Sequence, residues 1–515
     1  MASTETNGEQ PEPAEAAEVP ARPRTAAITI TVMITTIMQA LDMTIANVAL
    51  PHMQGSMSAT LEQISWVLTS YVVAAAVFMP LTGYLAARLG RRRLFIWSVV
   101  AFTVTSMACG LAQNLEQIVF FRILQGATGA FLVPLSQSVL LDTYPTEKHG
   151  WAMAVWGIGV MVGPILGPSL GGYLTEFYNW RWVFFINLPF GVLALIGLFF
   201  VIKETELDRT RRFDVLGFLL LTMAIGAFQV MLDQGESKNW FNSGEIIAMA
   251  IVAGGAFYLF LAHIFTHDHP FVNPALFKDR NFSVGLILIF ITGVILLAVL
   301  ALLPPFMQTL LGYPVLDVGS LLVPRGIGTM VAMMTVGRLA GRVDLRYLVV
   351  FGLLCSAWSM WDMTQFTTEA TAWDIIRTGV FQGLGLGFLF VPLATITFAT
   401  LPPQFRNDGT SLFSLVRSIG SSIGISVVIT MLARKTQSSH EAITQSITPF
   451  NPALQMAIDQ GVFEVETTGG LVTLNNEITR QASMLAYLYD FWLIMLLSLM
   501  AIPLVWLLRP SARTA

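Results

Sequence analysis

Apolar residues along the chain gather into fourteen long runs separated by short polar stretches. They lie at roughly 26–50, 63–85, 94–113, 117–141, 150–174, 182–202, 213–233, 244–266, 282–305, 315–340, 346–366, 373–399, 407–433 and 484–508. About 20 apolar residues suffice for a helix to cross the hydrocarbon. Porin-type strands would be shorter and alternating, and a backbone in lipid must satisfy its own hydrogen bonds. The pattern therefore predicts an all-α integral membrane protein with fourteen transmembrane helices. Residues 1–25, with Glu5, Glu9, Glu12, Glu15 and Glu18 among Pro and Ala, read as a disordered tail. No cleavable signal pattern opens the chain, so the first span is expected to remain.

Composition narrows the function. Apolar types make up 55% and charged types 12%, against about 45–50% and about 25% in soluble domains. A soluble enzyme, a nucleic-acid binder and a disordered protein are thereby excluded. The net charge of −4 shows no basic excess for nucleic acid, and Cys109 and Cys355 make no disulfide framework. With the N-terminus inside, nineteen Lys and Arg fall in inner loops, Arg209 and Arg211 among them, and five fall outside: Arg181, Lys238, Arg434, Lys435 and Arg480. That bias predicts both termini, including 509–515, in the cytoplasm. The one long outer loop is 434–483. Ala453–Gln460 and Asn475–Gln481 within it have helical character, and the loop is either a mobile connection or a docking segment.

The chain also repeats itself. Gly83-Tyr-Leu-Ala-Ala-Arg-Leu-Gly-Arg-Arg92 and Gly337-Arg-Leu-Ala-Gly-Arg-Val-Asp-Leu-Arg346 match at an offset of 254. Gln125-Gly-Ala-Thr-Gly-Ala-Phe and Gln382-Gly-Leu-Gly-Leu-Gly-Phe follow at an offset near 257. The organisation read from this is a six-helix bundle at 26–202, two inserted helices with their loops at 203–280, and a second six-helix bundle at 281–508. Such repeats place substrate between bundles near the membrane midplane, which points to a transporter.

Particular motifs carry a family resemblance over about 26–510. Span 1 has Gln39-Ala-Leu-Asp42-Met-Thr-Ile-Ala-Asn47-Val-Ala-Leu-Pro51, and span 4 has Arg122-Ile-Leu-Gln125-Gly126. Span 5 has Gly163-Pro164, Gly167-Pro168 and Gly171-Gly172, followed by Asn179-Trp-Arg-Trp-Val-Phe-Phe-Ile-Asn-Leu-Pro189. The outer loop has Thr448-Pro-Phe-Asn-Pro452. Together these resemble the major facilitator superfamily, in its fourteen-span drug:proton antiporter branch of the EmrB type. The resemblance implies proton coupling through Asp42 and Arg122, and a gating or antiporter motif in Gly163, Pro164, Gly167, Pro168, Gly171 and Gly172. It also implies a cytoplasmic loop motif in Gly83, Arg88, Gly90, Arg91 and Arg92. As partners it implies a periplasmic adaptor and an outer-membrane channel, hence a bacterial inner membrane. One departure is Ala87, where the family has an acidic latch residue. The arginines there would then serve mainly topology.

Asp42 is the foremost candidate on chemical grounds as well. A carboxylate inside a span costs at least about 2.5–3.5 kcal/mol, and burial favours its protonated form, as a proton carrier requires. Thr35, Gln39, Asp42 and Ala46 share one helix face, expected to look into a cavity; a buried pair with an arginine is the structural alternative. Counted from the outer ends of their spans, Asp42 and Arg122 differ in depth by one turn, so they meet if spans 1 and 4 are neighbours. Arg122 stays protonated and would act on Asp42. Gln39, Asn47, Gln125, Arg325, Gln382 and Arg417 are candidates to line a substrate cavity. Glycines at 159, 163, 167 and 171 permit close helix approach, for gating at the bundle interface or for plain packing. Arg377 is expected to snorkel, and Asp362, Asp374 and Asp490 to lie near outer ends. His263, His267 and His269 with Asp268 form no clean metal set, and no metal or cofactor is expected.

The leading expectation is a proton-coupled exporter of hydrophobic drugs; no nucleotide-binding loop is present for ATP drive. The alternative is an exporter of one endogenous compound: a siderophore, fatty acid or metabolite. A membrane enzyme or sensor is disfavoured by the lack of a soluble domain.

Overall fold

The computed structural model describes residues 22–510 except 206, 209, 211, 449, 461, 462 and 464–466. Most of the two expected tails lies outside the described residues, as do Arg209, Arg211 and Pro449. Eighteen α-helices follow one another: α1 Arg22–Met57, α2 Leu61–Phe78, α3 Leu81–Leu89, α4 Arg91–Leu111, α5 Leu115–Gly129, α6 Leu132–Thr143, α7 His149–Phe177, α8 Trp182–Phe185, α9 Asn187–Val201, α10 Val215–Gln234, α11 Gly244–Thr266, α12 Arg280–Pro305, α13 Val315–Leu339, α14 Leu345–Met363, α15 Ala372–Phe398, α16 Arg406–Ser446, α17 Pro452–Asp459 and α18 Thr468–Val505. No strand occurs among the described residues.

Local chemistry sets many of the boundaries. Thr60 and Thr371 open α2 and α15 with capping boxes, while Asn114, Asp214, Asp279 and Asp344 cap α5, α10, α12 and α14; each cap satisfies an amide the helix start would leave orphaned. Gly90 turns α3 into α4 at φ +88°, a conformation that disfavours a side chain. A Cβ there would also strike the Glu204 carboxylate.

Twelve helical segments are long and apolar enough to cross a membrane. A thirteenth is the pair α2 and α3, bent by 58° at Met79-Pro80. The remaining predicted run falls on α14, which carries Arg346 and Asp362 near its ends and packs along α15 and α18. Fourteen spans are thus accommodated, two of them less plainly apolar or less straight than the pattern suggests.

The first and last described residues lie on one face, the terminal face. There Arg280 Nε donates to the Leu507 carbonyl at 2.6 Å and Thr29 shares a hydrogen bond with Tyr144 at 2.8 Å. α7 lies between α1 and α13, α12 packs on α16, and α13 on α15. α10 reaches both α2 and α16, with Gln229 Nε2 donating to Ser422 Oγ at 2.8 Å.

The outer loop departs from expectation. α16 runs 41 residues and α18 runs 38. At ~1.5 Å per residue each is close to twice the ~30 Å hydrocarbon core. The segment 434–483 is therefore mostly helix: α16 continues to Ser446, α17 covers the predicted stretch near 453–460, and α18 already includes 475–481. His440 and Asn475 join the two long helices at 3.2 Å, forming an arm on the far face.

Candidate functional site

Asp42 sits midway along α1, fully buried. α5 brings Arg122 and Gln125 to it, and α9 begins with Asn187 beside it. Arg122 Nη1 donates to Asp42 Oδ2 at 2.8 Å; Gln125 Nε2 and Asn187 Nδ2 both donate to Oδ1 at 2.8 Å. Arg122 is itself held on several sides. Its Nε donates to the Val67 carbonyl at 3.0 Å, its Nη1 reaches Gln125 Oε1 at 2.9 Å, and its guanidinium lies 4.1 Å from the Tyr71 ring centre. Asn187 Nδ2 also donates to Ser106 Oγ at 2.9 Å. Burial of each charge is offset by the other and by neutral donors, the condition a buried ion pair requires.

The depth arithmetic that set Asp42 against Arg122 therefore corresponds to a contact. The expected outlook of Asp42 into a cavity does not: its carboxylate faces α5 and α9. Asn187 was missed as a site residue. The signal was one amide between Phe184-Phe185-Ile186 and Leu188, inside the 179–189 motif. Gln39 is buried, with Nε2 against Met43 Sδ at 3.2 Å, while Asn47 is exposed.

Among the described residues the second repeat has no matching ion pair. Arg325 is buried, its Nη1 without a partner, and both side-chain polar atoms of Gln382 are likewise unpartnered. Arg417 lies over the Phe390 ring at 5.6 Å, and that ring stacks on Trp156 at 5.6 Å. The repeat is nevertheless visible in the backbone. A Cβ on Gly126 would collide with the Tyr71 carbonyl, and one on Gly383 with the Arg325 carbonyl. The glycine after each repeated glutamine thus lets two helices touch backbone to backbone.

The glycine stripe of α7 faces α1. Side chains at Gly163 and Gly167 would collide with Ala40 and Thr44, and one at Gly171 would lie 2.9 Å from the Ile45 carbonyl. Thr44 Oγ1 donates to the Gly163 carbonyl at 2.9 Å. Gly172 has only ordinary contact, 4.0 Å from Val48. Pro164 and Pro168 lie within the continuous α7. The opposite side of α7, through Ile165 and Gly157, meets Gly326 and Met333 of α13.

The arginines after α3 do more than set topology. Arg91 pairs with Asp142 of α6, and the same carboxylate pairs with Arg406 at the head of α16. Arg91 Nη1 also donates to Ser138 Oγ at 3.1 Å, and that hydroxyl donates to Asn407 Oδ1. The Arg92 amide donates to Glu204 at 3.1 Å. Gly83 packs on Asp408, where any side chain would collide. Where the sequence departs from the family at Ala87, Asp142 and Glu204 supply acidic partners.

Three further expectations gain detail. Asp490, expected near the outer end of its span, is fully buried. Arg377 is paired with Asp362 at 2.9 Å. Of the histidine cluster, His263 and His267 come together with Asp214, their ligand atoms within 4.8 Å of one another, while His269 and Asp268 are not in that group. Asp214 is already occupied, accepting from the Gly217 and Phe271 amides at 2.8 and 2.9 Å and from His263 at 2.9 Å. Burial would raise its carboxyl, but these bonds outweigh burial and hold it below the usual carboxylate range. The cluster ties the start of α10 to the end of α11.

Known proteins resemble the chain along nearly its whole length. The Major Facilitator Superfamily profile matches residues 32–425. The multidrug export protein EmrB of Escherichia coli (strain K12) is 37% identical over 494 residues, covering 94% of this chain and 95% of that protein. The fatty acid resistance protein FarB of Neisseria gonorrhoeae is 36% identical over 488 residues, covering 94% and 96%. Among solved structures, the proton:xylose symporter XylE superposes with a TM-score of 0.63 at 12% identity, covering 94% of this chain and 95% of that one.

Proposed function

The chain belongs to the major facilitator superfamily, a family of membrane transporters, and from that premise we propose that it is a proton-coupled multidrug exporter working by alternating access. The observation that carries this reading is the buried Asp42–Arg122 pair. In a low-dielectric interior a proton arriving on Asp42 removes the anion that holds Arg122 in place. Protonation and release of the pair then become one event, available to drive a change of state. Export of chemically varied drugs agrees with the name of the Escherichia coli relative.

The terminal face is read as cytoplasmic, from the lysine and arginine bias, in a bacterial inner membrane. The far-face arm is read as the place where a periplasmic adaptor docks on the way to an outer-membrane channel. Exposed Phe450, Met456, Leu471 and Val472 on that segment support this. Deleting residues 440–480 then abolishes resistance in cells and spares transport in vesicles; loss in both removes the docking role. A second reading, export of one acidic amphiphile, draws on the name of the Neisseria relative.

The deciding test is purified protein in liposomes under an imposed pH gradient, with ethidium and an uncoupler-type drug followed in wild type and Asp42→Asn. Gradient-driven flux in wild type alone supports the proposal. Equal flux in both removes Asp42 from coupling. Saturable transport of a single fatty acid with no drug flux selects the second reading.

A further inference from the structure

The proposed proton route uses one carboxylate, yet the described membrane interior holds another that is unpaired. Asp490 of α18 is fully buried, and neither of its oxygens has a hydrogen-bond partner. It lies between Tyr487 and Phe491, and both of those rings contact Phe306, at centroid distances of 5.2 and 6.1 Å. Phe306 opens the π-turn at Phe306–Leu310, directly after Pro304 and Pro305. The two prolines remove the amides that would reach the Leu300 and Ala301 carbonyls, and π-turns inside helices recur at functional sites. A buried carboxyl therefore stands beside a built-in break in α12.

The surrounding helices give Asp490 no counter-charge. α12 has no charged residue between Asn281 and Pro305. On α14, Asp362 is bonded to Arg377, and Cys355 is a free thiol. On α16, Arg417 lies over Phe390, Lys435 lies over Tyr489 at 4.3 Å, and Arg434 is exposed. An ionised carboxylate with neither an ion pair nor a donor is too costly to hold in such a place. The neutral acid costs far less to bury, and it carries a proton.

We propose that Asp490 is a second proton-binding site: in this conformation it holds a proton that is released during the transport cycle. The chemistry is a reversible O–H dissociation, with the proton passing to water that reaches the site when the helices around the π-turn separate. This inference rests on the proton-coupled reading above and adds a second proton to it.

The experiment uses the full-length protein in liposomes. Infrared difference spectra across a pH titration look for the protonated-carboxyl C=O stretch in wild type, Asp490→Asn and Asp490→Glu. The proton-to-drug ratio is measured in parallel with an internal pH dye. The expected result is a band lost in Asp490→Asn and shifted but kept in Asp490→Glu, with the ratio lower by one in Asp490→Asn and restored in Asp490→Glu. Asn is isosteric with the neutral acid, so its fold should persist; Asp490→Glu retains the carboxyl if it does not. A band unaffected by Asp490→Asn overturns the protonated state. A band that is lost with an unchanged ratio makes Asp490 a structural acid and overturns the proposal. If wild type accumulates drug against its own gradient with the proton-motive force collapsed, the proton-coupled reading itself fails, and the infrared result still reports on Asp490 alone.

Discussion

At the residue scale the energetics turn on what each buried charge is left with when a neighbour changes. Asp42→Asn removes the anion but leaves Arg122 buried at 1% exposure, and stranding one member of such a pair costs about 3–5 kcal/mol. Asp42→Asn is therefore expected to melt well below wild type in detergent. Asp42→Asn with Arg122→Gln should recover most of that loss while transport stays at background. Scanning calorimetry with liposome flux separates the two effects, and a single variant as stable as wild type would show that the pair contributes nothing to folding. The matching depth of the pair was legible in the sequence, because rise per residue converts positions into depths, while their contact depended on spans 1 and 4 being neighbours. Asn187 was not legible, because the break between α8 and α9 resets the helical phase just before it. The burial of Asp490 was hidden for another reason. Position along α18 says how deep a residue lies, but which side is covered is decided by α12, α14 and α16 packing around it.

At the element scale, close approach and clasps decide which substitutions matter. Gly163 touches the Ala40 backbone, where a Cβ has no room, whereas Gly172 has 4.0 Å to the nearest atom. Gly163→Ala should destabilise by about 1–3 kcal/mol, as overpacking does, and Gly172→Ala should melt like wild type although both belong to one motif. Equal effects would mean that α7 slides on α1 without cost. The same stripe looked from the sequence equally suited to gating or to packing, since spacing gives a face but not the helix it meets. The Asp214 clasp carries a pH dependence. Its carboxyl titrates below the ordinary carboxylate range because donors from Gly217, His263 and Phe271 outweigh burial. Its contribution is therefore complete above that range and lost as pH falls through the lowered value. Thermal melts of wild type should fall toward those of Asp214→Ala as the medium is acidified, while at neutral pH the variant melts lower. Parallel profiles across the acid range would refute the clasp.

At the scale of the whole molecule, the repeat reappears as paired contacts across the seam. Gly83 of the first repeat packs on Asp408 of α16; Gly337, its partner at offset 254, packs on Ala154 and Trp151 of α7. The sequence disclosed these two glycines as equivalent, and folding gives them equivalent work: each lets the end of one bundle rest on a helix of the other. Between them the terminal face is joined by Asp142 with Arg91 and Arg406 and by Ser138 with Asn407. Alternating access requires this seam to part once per cycle. Ser138→Cys with Asn407→Cys, in a background where Cys109 and Cys355 are replaced by Ser, places two thiols where two side chains already meet. Oxidation should hold the seam closed and stop gradient-driven flux, reduction should restore it, and drug binding from the far face should survive in the oxidised form. Flux that continues through fully cross-linked protein would mean that the seam does not open in transport, and the rocking of two bundles would have to give way to a different motion.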